Sequence, residues 1–188
     1  MPEASNPSQV FSQAAQFRDG TPVLLRVLGP DDRAKVITAF EKLDPQSVYT
    51  RFFSFRKSLT EADLQRLEEI DPLTSMAVGV LLGSGADEAL IGAGSYVALP
   101  TSDGVRAAEV AFLVEEDFHG QGLAGRLLSA LIEIARRHGF RRFEAVVLAD
   151  NVSMLKVFER SGLPLAKHRQ GGEMHITMAL HSLPAEGT

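Results

Sequence analysis

Three groups of residues in this chain have types and spacings that could do chemistry. The first is Gly120-Gln121-Gly122-Leu123-Ala124-Gly125, placed where an apolar strand ends and a helical pattern begins. Glycines at this spacing leave backbone N–H groups uncovered, and the positive end of the following helix adds favourable charge, so the segment suits a pyrophosphate. Which pyrophosphate is not specified. A dinucleotide site would use Glu144 or Asp150 as its ribose-binding acid. That fold, however, turns tightly from strand into first glycine. Here Glu115, Glu116, Asp117, Phe118 and His119 intervene, and only about sixty residues follow. That is too short for the second half of a doubly wound sheet.

The second group is Glu109, an acid inside an otherwise apolar run from Ala107 to Val114. A carboxylate in a covered strand is costly unless it is paired or used. Burial would raise its pKa toward the range of a general base. The plainer alternative is an acid at the strand start that faces water or an arginine. Glu115 and Glu116, at the bend, are further base candidates and also read as a solvated pair. The third is Asn151, which follows a strand and can cap the next helix. His138, His168, His175 and His181 share no metal-ligand spacing, and no metal is expected. Ser129 and Ser153 lack a His/Asp pattern, and the absence of cysteine excludes thiol nucleophiles, disulfides and Cys–zinc sites.

These residues need elements to hold them. Met1 to Gln16 lacks sustained periodicity and reads as a loose arm. Asp19-Gly20 is a turn before a strand over Val23–Leu28. Pro30-Asp31-Asp32 opens a helix with Val36, Ile37, Phe40 and Leu43 at helical spacing. Pro45 starts a second short helical piece carrying Tyr49, Phe52 and Phe53. Thr60 to Asp63 has the form of a capping box and begins a third helix. Met76–Leu82, Ala89–Leu99 and Ala107–Val114 are three apolar runs separated by turns, read as a strand meander covered on both faces. A helix over Leu123–His138 closes at Gly139. Phe143–Leu148 is a strand, Val152–Arg160 a helix, and Leu163–His168 and Met174–His181 two closing strands. The order implies one α/β (α+β) domain over residues 17–181, with a mixed, mostly antiparallel sheet, helices on both faces, and a tail over 182–188.

The flanks of the glycine loop carry a resemblance. Ala108-Glu109-Val110-Ala111-Phe112-Leu113-Val114, then His119 through Leu128, then Ala149-Asp150-Asn151 through Gly162 resemble the GNAT superfamily of acyl-CoA N-acyltransferases. Its hallmark is Gln/Arg-x-x-Gly-x-Gly/Ala before a helix. His119 takes the Gln/Arg place, with Gly122 and Ala124 at the small positions. Upstream, Arg18 to Thr21, Tyr49 to Ser54 and Leu59 to Leu64 are similar to bacterial protein lysine acetyltransferases of that superfamily, as is the ending Arg169 to Thr177. The resemblance implies acetyl-CoA as acyl donor. Backbone groups of Phe112, Leu113 and Val114 would hold its pantetheine arm and thioester, and the loop from Gly120 to Gly125 its pyrophosphate. Asn151 would contact the pantetheine amide. It also implies an amine acceptor, foremost a lysine on a protein, with a small amine or a non-catalytic acetyl-CoA sensor as alternatives. Where many relatives carry a Tyr that protonates the leaving thiolate, this chain has Phe158, and a phenyl ring has no proton to give. Tyr49 and Tyr96 are the only tyrosines.

Composition fits this picture. The chain has 188 residues and a net charge of -5, with 19 Lys+Arg against 24 Asp+Glu. A nucleic-acid binder would usually show a basic excess, so no nucleic-acid partner is expected. No apolar stretch is long enough to span a bilayer and the first residues lack a leader pattern, so a cytoplasmic location is expected. Arg136-Arg137-His138 with Arg141-Arg142 reads as the favourable positive end of a helix.

Overall fold

The computed structural model describes residues 10–43 and 59–180. The helical piece expected from Pro45 therefore lies outside the described residues. Among them, eight strands form one sheet in the order β1-β2-β3-β4-β5-β6-β8-β7. The strands are β1 (Ser12–Gln16), β2 (Pro22–Val27), β3 (Ser75–Leu82), β4 (Ala89–Leu99), β5 (Ala107–Val114), β6 (Arg142–Leu148), β7 (Leu165–Gln170) and β8 (Glu173–Ala179). Four helices accompany them: α1 (Arg33–Glu41), α2 (Glu61–Glu68), α3 (Leu123–Arg137) and α4 (Val152–Glu159). β5 and β6 run parallel, and every other neighbouring pair is antiparallel. This is the mixed, mostly antiparallel α/β sheet expected, and it is not a doubly wound one. No described helix is long and apolar enough to cross a membrane.

One expectation fails at the N-terminus. Ser12–Gln16 is not a loose arm but an edge strand paired with β2, from Ser12↔Arg26 to Gln16↔Pro22. Its residues are mostly exposed, so it shows no apolar alternation. Phe11 and Phe17, at its two ends, are buried and anchor it. The Asp19-Gly20 turn closes the hairpin. Phe17 donates its N–H to the Thr21 carbonyl, the Thr21 N–H is held by Asp19, and Gly20 takes a φ of 88°.

The sheet has two apolar faces. α3 presents Leu127, Leu128, Leu131 and Ile134 to one of them, where Ala108, Val110, Phe143, Ala145 and Ile176 close the main core. α1 and α2 cover the other face, but only over β2–β4, where Leu28, Leu64, Leu67, Leu81 and Leu90 pack together. α2 begins with the capping box expected from its sequence: Thr60 accepts the Asp63 N–H at 3.2 Å and Asp63 accepts the Thr60 N–H at 2.9 Å.

A buried ion-pair cluster fixes the start of α1 against the sheet. Asp32 takes both Arg26 nitrogens at 2.8 Å and the Gly29 N–H at 2.9 Å, with only 4% of its side chain exposed. Lys35 and Glu88 extend the cluster. Burial alone would push the Asp32 carboxyl up. The bonds from Arg26 and Gly29, with the charges of Arg26 and Lys35, outweigh that and hold it below the ordinary carboxylate range.

Candidate active site

β5 and β6 are in register only at Ala107↔Arg142, Ala108↔Phe143 and Glu109↔Glu144. Beyond Glu109 they separate, while β6 stays paired with β8 as far as Leu148↔Glu173. A wedge therefore opens between Val110–Val114 and Ala145–Leu148. Strand alternation says which backbone groups face it. The Glu115 N–H bonds the Ile91 carbonyl on β4 at 2.9 Å. Peptide groups alternate sides along a strand, so those of Val110, Phe112 and Val114 point away from β4, into the wedge. The peptide groups of Leu113 point to β4, and its side chain lines a cavity on the other face. Of the strand residues assigned to the donor, Phe112 and Val114 are thus directed to the wedge and Leu113 is not.

At the wedge mouth, Glu116–Phe118 makes one 3-10 turn and the glycine loop swings the chain into α3. Gly120 and Gly122 take φ of 78° and 77°, a left-handed conformation that a side chain would strain. An α-helix leaves its first N–H groups without intrahelical partners. Gly122, the N-cap of α3, supplies no side chain to satisfy them. The first helix-type bond runs from Arg126 to Gly122. From Gly120 to Gly125, no backbone N–H bonds an acceptor among the described residues. An ideal Cβ at Gly120, Gly122 or Gly125 would meet nothing within 4 Å beyond its own neighbouring backbone. The loop is thus a set of backbone donors without partners among the described residues, with open space at its glycines, at the positive end of a 15-residue helix, which fits a pyrophosphate.

Asn151 starts α4 beside the far wall of the wedge, and its side-chain oxygen accepts the Met154 N–H at 3.2 Å, the cap expected of it. Phe158, on the same helix, is 1% exposed, with its ring edge-on to Phe112 at 6.1 Å between centroids. Its phenyl ring has no proton to donate. Tyr96 is no substitute: it is buried against Phe140 and Phe143, and its hydroxyl donates to the Pro72 carbonyl at 2.6 Å. Tyr49 lies outside the described residues.

Glu109 sits where the wedge begins, on the sheet face opposite α3. It is exposed, so the burial expected of it is not met. The physical reason is that α1 and α2 cover β2–β4 and stop short of this end of β5. Its carboxylate makes no hydrogen bond or ion pair with a described residue. Directly across the strand pair, Glu144 is bonded to Arg142 at 3.0 Å. On the same face, a cavity of about 170 Å³ runs under α1 and α2, lined by Val36, Phe40, Leu67, Ala93, Leu113 and Glu115. Sequence reasoning missed one contact. The imidazole Nε2 of His119 lies 2.8 Å from the Val114 carbonyl, and nothing in the local pattern announces a bond across five residues of bend.

Four further basic and histidine residues have structural partners. Arg136 donates to the Leu180 carbonyl, Arg137 pairs with Glu133, and Arg106 donates to the His138 carbonyl. His138 itself bonds the Ile134 carbonyl through Nδ1.

Comparison with known proteins places the chain in a family. Residues 46–163 match the family model described as Acetyltransferase (GNAT) family. The chain is 33% identical over 154 residues to Acetyltransferase Pat of Mycolicibacterium smegmatis, covering 78% of this chain and 43% of that protein. It is also 33% identical over 136 residues to Acetyltransferase PA5475 of Pseudomonas aeruginosa, covering 72% of each. The chain thus spans less than half of the first relative's length. Among solved structures, the GNAT domain of S. lividans PAT superposes with a TM-score of 0.80 at 27% identity, covering 93% of this chain and 99% of that one. A fold neighbour from Salmonella typhimurium, 20% identical with a TM-score of 0.68, was solved with its cofactor acetyl-CoA. The chain belongs to the Acetyltransferase (GNAT) family and carries the fold of an acetyl-CoA-dependent acyltransferase.

Proposed function

We propose that this domain transfers the acetyl group of acetyl-CoA to a lysine side chain of another protein. The observation that carries the donor half is the conjunction of a wedge edged by the backbone groups of Phe112 and Val114 with the six N–H groups of Gly120–Gly125, which have no partner among the described residues. An acyl-CoA needs both features: an extended slot for its pantetheine arm and anion donors for its pyrophosphate. Asn151, its oxygen engaged in the cap, keeps its amide N–H groups for the arm. For the acceptor half, support comes from the similarity to the Pat-type acetyltransferases and from the open face that carries Glu109 and Glu144 in register, which suits an approaching cation.

The chemistry follows. A lysine ammonium must lose a proton before its nitrogen can attack, and Glu109, exposed and without a bond to a described residue, is the base we assign to remove it. The amine nitrogen then forms a bond to the thioester carbon. N–H groups at the wedge edge of β5 stabilise the charge that grows on the carbonyl oxygen. The C–S bond breaks, the nitrogen gives up its second proton to water, and sulfur leaves as a thiolate without a proton from Phe158; an ordinary thiol pKa of roughly 8.5 makes this feasible near neutrality.

The test is thiol release from acetyl-CoA with wild-type protein against lysine-bearing proteins, small amines and no acceptor. Release that depends on a protein acceptor, with acetyl-lysine found by mass spectrometry, is the expected result. Release with small amines alone would replace the acceptor, and tight binding of acetyl-CoA without release to any acceptor would make the domain a sensor.

A further inference from the structure

The bond between His119 and Val114 links the two halves of the donor site. Val114 is the last residue of β5, and its carbonyl points into the wedge because the neighbouring Glu115 is the one bonded to β4. A bare carbonyl there would present negative charge beside the thioester and the phosphates. Instead it lies 2.8 Å from the His119 Nε2. A carbonyl can only accept, so the nitrogen facing it must carry the proton. The bend between the two residues is itself pinned. Phe118 and His119 donate their N–H groups to the Glu115 and Glu116 carbonyls, and the Phe118 ring packs on Phe17 at 5.9 Å. His119 is the residue immediately before Gly120, where the chain turns left-handed into the unpartnered amides.

We infer that His119 is a positioning residue for the acyl donor: its Nε2–H neutralises the Val114 carbonyl and sets the distance between the thioester edge of β5 and the pyrophosphate loop. The role rests on the donor-site reading above. It assigns a purpose to the histidine standing where the family pattern has Gln or Arg. It needs a side-chain donor of the right reach, so glutamine can replace the imidazole and alanine cannot.

Steady-state kinetics of wild type, His119→Ala and His119→Gln, with long-range ¹⁵N–¹H correlation of the imidazole, test this. Loss of one hydrogen bond corresponds to a roughly 3- to 10-fold rise in the acetyl-CoA KM for His119→Ala. The acceptor KM is expected to stay unchanged, His119→Gln to stay within about 2-fold of wild type, and the spectrum to show the Nε2-protonated form. An unchanged acetyl-CoA KM in the alanine variant, a glutamine variant as impaired as the alanine one, or an Nδ1-protonated neutral ring would each overturn the inference and leave the donor site standing. Failure of the wild type to bind acetyl-CoA would overturn the donor site and this inference with it.

Discussion

Replacing Glu109 with glutamine isolates the proton-transfer step. A free lysine amine has a pKa of roughly 10.4, so at about pH 7 only about one molecule in 2,500 is neutral. Holding the acceptor ready for attack is thus worth up to about 4.6 kcal/mol to the reaction. A positioned base recovers roughly 10²- to 10⁴-fold of rate. Because Glu109 is exposed and makes no bond to a described residue, the isosteric amide removes the base without disturbing packing. Folding stability should change by less than about 0.5 kcal/mol, a shift in melting midpoint of under about 2 °C for a chain of this size. The assay is thiol release as a function of pH with a fixed lysine acceptor. At about pH 7, kcat/KM should fall by about 10²- to 10³-fold while the acetyl-CoA KM stays within about 2-fold. Above that, the variant should gain about tenfold per pH unit as the acceptor deprotonates unaided, so the gap to wild type closes toward about pH 10. A loss smaller than about 3-fold at neutral pH, or a gap that stays constant as pH rises, would show that Glu109 is not the base.

Other expectations follow from the same geometry. Asp32→Ala leaves the part-buried Arg26 with Glu88, 3.5 Å away, and the neutral Val27 carbonyl at 3.1 Å. It should cost about 3 kcal/mol, the lower end for breaking a buried pair, or about 6–12 °C in melting midpoint by thermal denaturation. Because the folded pKa of Asp32 is depressed, its contribution is full above the unfolded carboxylate value of roughly 4 and is lost as pH falls through the lower folded value. Asp32→Asn should therefore show a shallower decline of stability with acid than wild type. Gly122→Ala places a side chain at a φ of 77°. It should cost about 1–2 kcal/mol in denaturant unfolding and raise the acetyl-CoA KM; a variant with unaltered stability and KM would mean the loop does not depend on its left-handed turn.

The sequence carried much of this fold in its punctuation. The runs Ala89–Leu99 and Ala107–Val114 coincide with β4 and β5 because turn residues bracket continuous apolar stretches. α3 was marked by its apolar stripe and by Gly139 at its end. β1 was not visible, because an edge strand with exposed residues has no alternation to detect; Phe11 and Phe17 at its two ends, followed by the Asp19-Gly20 turn, were the available signal. Glu109 illustrates a different limit. Its strand is apolar enough to imply cover on both faces, but cover depends on how far α1 and α2 reach across the sheet, and no local pattern encodes that. The glycine loop was legible as a stretch of uncovered backbone donors before a helix. That β5 and β6 part company just after Glu109, and that alternation turns Phe112 and Val114 but not Leu113 into the gap, are properties of register that appear only when both strands are in place.

Amide hydrogen exchange with and without acetyl-CoA tests the central claim most directly, since it reads the N–H groups on which the donor site rests. The account predicts saturable binding of acetyl-CoA, with protection concentrated at Gly120–Gly125 and at Phe112 and Val114, and little change in β7. Absence of binding, or binding that leaves Gly120–Gly125 exchanging as before, would contradict it.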